Sequence, residues 1–488
     1  MTLEEIRSRY PAHGDPKPIP RHYDDALFET LYPGIYSHEA EAAVRARIGE
    51  DEALIARGAV DPAIIRENRI PEDYPGYYGK AEVTPAFARY AMERYDPDNR
   101  LYSDEGYAKE LGYDGLPIYF TYAMFYLVQT PPREIKDIFT PCNISHSIRC
   151  FRPIYVGDTI YGFRDRQYTQ DLTPEEGSTV RTLAVTTEAS SYNQRGELVA
   201  TYTYNILEHI RIFKDPSFRQ GMDGPFVKAW DSPNWWKRPR HVYTDQDWDF
   251  IRTVWKNEAH RGAEPFYWED VKIGDRPPWT LEGPVDDAGG VFPEEDPNGL
   301  GYGGTRTLKR EILTPETFRN MVRNPYDGVY RLARWNDSYP VPPLKDPGEL
   351  RMENDDPASE PGHRYHFINI YGRDIHFRHI HNYFGDRAVI RELRWSIMSP
   401  EALEECEMPG RPEHPNYKRY HKLDPEGRPV TAHGLEGDIA LTKSYVRRKY
   451  IEDGRGCVEL IWSVEDIEGN VWQEGSTILE LPRRSAVS

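Results

Sequence analysis

The chain has 488 residues, 38% apolar and 29% charged, with a formal net charge of −19. That length and balance fit a soluble, globular chain of two or three domains, each able to bury its own core. The acid excess, without any block of lysine and arginine, argues against a broad nucleic-acid surface, and the longest apolar-aromatic run, Tyr119 to Val128, is too short to span a bilayer.

Four cysteines (Cys142, Cys150, Cys406, Cys457) stand in no Cys-x-x-Cys pair, and the stretch Met1 to Arg7 has no apolar h-region. A reducing compartment and a cytoplasmic location are therefore expected. Residues 1–75 read as an N-terminal arm. It is rich in proline and charge to residue 22, then carries Ala53, Leu54, Ala56, Ala59, Val60, Ile64 and Ile65 at the spacing of short helices. Val83-Thr84-Pro85 opens a further helix, with Thr84 as N-cap, Pro85 in the first turn, and Phe87, Ala88, Ala91 and Met92 on the buried face.

Asp96-Pro97-Asp98-Asn99 ends that helix in a turn, and a second helical stretch runs from Asp104 to Leu111. Leu116 to Gln129 is apolar nearly all round, which predicts a helix inside something. Strands are expected at Ser147–Tyr155, Thr159–Asp165, Val180–Ser191 and Leu198–Ile206, with turns at Gly157-Asp158 and Asn193 to Gly196. An apolar helix followed by an antiparallel meander predicts a sheet wrapped around that helix. Residues 76–210 form this first unit.

Residues 211–262 hold Trp230, Trp235, Trp236, Trp248 and Trp255 and read as an ordered connection. A second unit, 263–488, contains a Pro-, Gly- and acid-rich insertion at about 286–363 carrying Arg306, Arg310, Arg319, Arg323, Arg331 and Arg334. This insertion suits either a lid that restricts the ligand or a solvated packing loop. Later strands are expected at Lys443–Tyr450, Val458–Val464 and Ile478–Leu481. Gly157 and Gly437 are 280 residues apart and Gly196 and Gly469 are 273 apart, which points to an internal duplication.

The second unit also concentrates the histidines. Eight of fifteen lie from His363 to His433, and His376, His379 and His381 fall within six positions, flanked by Asp374 and Asp386. Imidazoles beside carboxylates can pass protons near neutral pH or hold a metal.

Several stretches resemble the MaoC-like dehydratases and (R)-specific enoyl-CoA hydratases. They are Phe151 to Thr159, Tyr192 to Val199, and Asn99 to Asp104 with Ala108 and Gly112 following. In the second unit they are Tyr267 to Asp275, Gly437-Asp438, Glu468-Gly469 and Leu479 to Pro482. The likeness covers about residues 80–210, 265–290 and 365–482. It implies an α+β architecture: two hotdog domains, each a long helix wrapped by antiparallel sheet, forming a double hotdog with a helical arm and an insertion.

The resemblance also implies a hydro-lyase that hydrates 2-enoyl thioesters or dehydrates 3-hydroxyacyl thioesters through an Asp/His pair. No cofactor is implied beyond coenzyme A as part of the substrate, and a homodimer or higher homo-oligomer is expected. The family motif lays Tyr102 where its histidine stands and Pro97 where its aspartate stands, so the first hotdog looks degenerate and substrate-shaping. In the second, Asp374 with His379 matches the motif interval, while a different register places His381 and Asp386 at the ligand. The expected catalytic set is His379, Asp374, His381 and Asp386, with His379 foremost. Tyr102, Asp104, His376, Lys443 and Arg447 are expected to bind substrate, the last two near a coenzyme A phosphate.

Three rivals stand beside this reading: a metal-dependent enzyme holding its ion on His379, His381 and Asp386, a hotdog thioesterase, and a non-catalytic binding module. Gly299 to Gly304 fits Gly-x-Gly-x-x-Gly only formally, since no strand precedes it and no βαβ unit surrounds it.

Overall fold

Long strands of alternating character form the backbone of the molecule. The computed structural model describes residues 36–96, 98–121, 132–171, 173, 180–211, 241–284, 321–323, 328–332, 370–396, 422–423, 429–430, 438–469 and 471–484. Its main sheet has eleven strands: β1 (Gly49–Glu50), β2 (Tyr77–Glu82), β3 (Phe139–Cys150), β4 (Thr159–Asp171), β5 (Val180–Tyr192), β6 (Leu198–Arg211), β7 (Thr280–Glu282), β8 (Val389–Ser396), β9 (Ala440–Glu452), β10 (Arg455–Glu465) and β11 (Val471–Leu481). They lie in the order β1-β4-β5-β6-β3-β8-β11-β10-β9-β7, with β2 also paired to β4, and every pairing is antiparallel.

That order is a palindrome about the β3–β8 junction. β4-β5-β6-β3 on one side matches β9-β10-β11-β8 on the other, as the repeated Gly-Asp and Gly turns predict. The fold is α+β and a double hotdog. One row of opposed residues crosses it from end to end: Gln167, Thr187, Tyr204, His146, Trp395, Gly475, Trp462 and Ser444. His146 stacks on Trp395 at 4.8 Å, so aromatic faces join the two halves where the strands change hands.

Five helices concern us: α1 (His38–Arg45), α2 (Pro85–Tyr95), α3 (Glu105–Glu110), α4 (Asp245–Asn257) and α5 (Ile370–Phe384). α2 starts as its residues predict, Thr84 accepting from the Phe87 amide with Pro85 in the first turn. α5 is the helix the second half-sheet wraps, and Phe377, Ile380 and Phe384 bury its apolar side in the shared core.

Three expectations change. The predicted helix from Leu116 begins extended, because Pro117–Ile118 pairs with Ile154–Tyr155, and a residue before proline is steered away from helix. Residues 122–131 lie outside the described residues. Residues 212–240 of the Trp-rich stretch lie outside the described residues, and the rest is more than a connection: α4, opened by a Thr244–Asp247 capping box, buries Trp248 and Trp255 in a core of its own with Leu281, Ile439 and Leu441. The described part of the insertion, a hairpin of Met321–Arg323 and Tyr330–Leu332, packs on that helix, where Gly328 accepts from the Trp248 indole at 2.8 Å. Most of the insertion lies outside the described residues.

Candidate functional site

α5 has an end built with unusual care. Gly385 takes φ +80° immediately after the helix and donates back to the His381 carbonyl, a glycine C-terminal cap. Arg261 donates from Nε to the Tyr383 carbonyl at 2.6 Å, a cation at the negative end of the helix dipole. The Asp386 amide donates to the Gly262 carbonyl at 2.9 Å. The segment preceding the second half therefore clamps the residues on which His381 and Asp386 sit.

Helical spacing then divides the histidines between two faces. His376 and His379 face the second half-sheet. His376 pairs through Nε2 with the Thr477 hydroxyl at 2.6 Å and stacks on Trp462 at 4.6 Å. His379 is held between the Thr280 hydroxyl at Nδ1 (2.9 Å) and the Ser444 hydroxyl at Nε2 (2.7 Å). Burial pushes the His379 imidazole down to about 3, with the neighbouring Arg378 charge adding to the effect, and burial takes His376 well below its ordinary value too. Both are neutral rings built into the packing.

His381 faces the first half. Its Nε2 lies 2.8 Å from the Tyr102 hydroxyl and its Nδ1 lies 3.2 Å from the Gly385 carbonyl. A carbonyl only accepts, so Nδ1 carries the proton, and Nε2 is the lone pair that takes the bond from Tyr102. Tyr102 stands on a 3₁₀ turn, Arg100–Tyr102, and its ring meets Tyr119 edge-on at 4.8 Å. Tyr119 in turn stacks on Phe377 of α5 at 4.1 Å.

Asp386 closes the group. It is fully buried, accepts from the Tyr107 hydroxyl at 2.7 Å, and faces His260 Nε2 at 3.0 and 3.1 Å from its two oxygens. Its Oδ1 is 3.7 Å from His381 Nδ1. Burial raises its carboxyl, but the His260 hydrogen bond and the nearby imidazoles outweigh that and leave it below the usual value. Burial lowers His381, and the Asp386 and Asp96 carboxylates only partly oppose it.

Asp96 is the residue that the motif alignment misses by one position. Pro97 occupies the expected aspartate position, yet Asp96 beside it is 4% exposed and accepts from Asn99 Nδ2 at 3.0 Å. Burial raises its carboxyl, opposed in part by His381, His260 and Arg378. His260, too, was not singled out from the sequence: it stands alone in a stretch that reads as a connection. No local signal marks it; the contacts of Arg261 and Gly262 with the α5 end bring it there.

The remaining expected residues are placed elsewhere. Asp104 is the N-cap of α3, accepting from the Tyr107 amide at 3.0 Å and pairing with Arg100 in solvent, so it is a capping residue and not a pocket wall. Lys443 pairs with Glu465 and covers the Trp279 ring, and Arg447 lies 3.7 Å from Glu459. Both bases already face carboxylates in the sheet. Asp374 lies within α5, and its side chain falls outside the described residues. The three-ligand metal set is not assembled: His379 has both ring nitrogens engaged, and among the described residues no three His, Cys, Asp or Glu side chains converge as a metal group. Among them, too, no helix is long and apolar enough to cross a membrane.

A scan of family models gives no match, and a search of curated proteins gives none. Solved structures do overlay the chain. One, described as a MaoC-like dehydratase, is 11% identical and overlaps 83% of this chain and 97% of its own, with a TM-score of 0.43. A MaoC domain protein dehydratase from Chloroflexus aurantiacus is 15% identical over 84% of this chain and 95% of its own, at 0.39. Rv0216 from Mycobacterium tuberculosis, described as having a double hotdog fold, is 11% identical over 83% and 94%, at 0.40. The fold assignment here rests on the strand order itself.

Proposed function

We propose that this chain is a hydro-lyase that adds water across a 2-enoyl thioester, or removes it from a 3-hydroxyacyl thioester. The observation that carries the reading is the buried Tyr102–His381 bond, in which a neutral imidazole offers its lone pair to a phenol from the opposite half. His379, foremost in the sequence, gives way in this reading to His381, because His381 has the Asp386 carboxylate 3.7 Å from Nδ1 to favour an imidazolium, whereas His379 lies between two neutral hydroxyls beside the Arg378 charge.

In the hydration direction, water forms its bond to C3 of the enoyl group and gives up a proton to the His381–Tyr102 couple. C2 receives a proton from Asp96, a carboxyl that burial raises above its usual value. The Gly385 carbonyl holds the imidazole in the Nδ1–H form, and Asp386, ionised and 3.7 Å away, favours the imidazolium that develops. Loss of water is the same set of transfers reversed. Support for the thioester class comes from the sequence resemblance and from the double-hotdog fold, whose two halves each supply one member of the couple.

The test is to incubate the full chain with a panel of 2-enoyl-CoA esters, following hydration, product stereochemistry and free thiol together. Hydration without thiol release, abolished by His381→Gln, is expected. Thiol release without hydration would make the protein a thioesterase, and no turnover of any ester would sink the reading.

A further inference from the structure

His260 occupies a position no part of the proposed reaction uses. It belongs to the segment between the two halves, is a quarter exposed at its side chain, and reaches inward to a carboxylate that is not exposed at all. Nε2 faces both Asp386 oxygens and Nδ1 faces the Asn382 amide oxygen at 3.3 Å. Two acceptors, one on each nitrogen, suit the doubly protonated ring. One of those oxygens, Oδ1, also lies 3.7 Å from His381 Nδ1.

We propose that His260 is a positioning residue whose charge, set against the carboxylate it shares with His381, Asp386, governs the protonation of His381. This rests on the proposed hydro-lyase reading only for its consequence in turnover. Among the described residues, these groups face the trio. From the first half come Asp96, Tyr102, Tyr107 and Tyr113, with Arg100 lying 4.4 Å over the Tyr107 ring. From α5 and its end come Asn382, Arg378 acting on Asp96, and Arg387 acting on Tyr107.

A charged His260 has two opposed effects on His381. It keeps Asp386 ionised, which steadies an imidazolium at His381, and it repels that imidazolium directly. Burial lowers the His260 pKa, but the Asp386 hydrogen bond and charge more than reverse this, so the ring stays charged above its ordinary range. With Asp386 also held by Tyr107, replacing His260 with glutamine leaves the carboxylate ionised at neutral pH and removes only the repulsion. The His381 midpoint should therefore rise.

The experiment is a pH titration of histidine ring resonances in the full chain with labelled histidine, His260→Gln and His381→Gln serving to assign the two rings. In the wild type the His381 resonance is expected to move in two steps, one of them coincident with His260. His260→Gln should remove that step, raise the remaining His381 midpoint by about half to one pH unit, and carry the acid limb of kcat/KM upward with it. A His381 ring indifferent to His260 ionisation in the wild type would overturn the proposal without needing the variant to fold. If coupling is seen but no enoyl thioester is hydrated, the proposal stands and the hydro-lyase reading falls.

Discussion

The hydroxyl of Tyr102 lies 2.8 Å from Nε2 of His381 although 279 residues separate them, and the same separation relates Tyr107 to Asp386, joined at 2.7 Å. Two rungs thus cross from the loop and helix of one half to the helix end of the other. Neither half alone contains either pair.

Tyr102→Phe tests the first rung with little disturbance, because the ring keeps its edge contact with Tyr119. We expect turnover to fall by roughly 100-fold with KM little changed, while the unfolding midpoint registers a loss of only about 1 kcal/mol for one hydrogen bond. His381→Gln should cost more. The double variant should fall little below His381→Gln alone, since the two side chains act as a unit. Additive losses in steady-state kinetics would show that they do not.

The strands and their turns were readable because period-two alternation and Gly turns are local signals, and Asp438 and Asp158, both buried, sit at equivalent turns. β4, β5 and β6 all run past their expected ends, since a strand held on both sides needs no turn residue to continue it. Which face of α5 each histidine takes was not readable. His379 and His381 are two positions apart, so helical geometry turns them to different partners, and only the tertiary packing says which half each meets. Asp96 and His260 were hidden for a related reason: each is an ordinary turn or connection residue until the opposite half covers it.

Acid should loosen the second half first. His379 is pushed down to about 3 in the fold against 6.5 as a free side chain. Between those values the unfolded chain binds the extra proton, so stability falls as pH drops below about 6.5, by up to about 1.4 kcal/mol per pH unit. His376 adds in the same direction. His260 has the opposite sign: its raised pKa gives a contribution fully present below 6.5 and lost as pH rises through the folded value. Urea unfolding of wild type and His379→Gln from pH 7 to 5 checks this. The variant should show the shallower pH dependence, and parallel curves would refute it.

Arg378 holds together three elements that meet under the α4 core. It donates to Glu282 at 2.9 Å and to the Leu281 carbonyl at 3.0 Å, and it faces Glu258 at the end of α4 at 3.6 Å. All three charged side chains are nearly or fully buried. Arg378→Met keeps the bulk but removes the cation beside two buried carboxylates, which should cost about 3–5 kcal/mol. Replacing Glu258 and Glu282 with glutamine in that background should recover part of the loss. Chemical denaturation of the series measures both steps, and the absence of any recovery would mean that packing, not charge, dominates there.

Gly385 and Gly112 offer a matched comparison at the site. Both take positive φ, +80° and +96°, so alanine at either meets the same backbone strain of about 1 kcal/mol. They differ in surroundings. A Cβ at Gly112 meets nothing within 4 Å, whereas one at Gly385 comes 2.9 Å from the carbonyl oxygens of both Gly262 and Glu264. Those oxygens belong to the clamp that accepts from the Asp386 amide, and Gly385 supplies the carbonyl that fixes the His381 tautomer. Gly385→Ala should therefore destabilise by about 2–3 kcal/mol and reduce turnover as well, because pushing the clamp away moves Asp386 and His381 together. Gly112→Ala should lose only the strain energy and keep its turnover. Equal effects of the two substitutions on kcat would mean that the clamp at residues 261–264 does not position the imidazole.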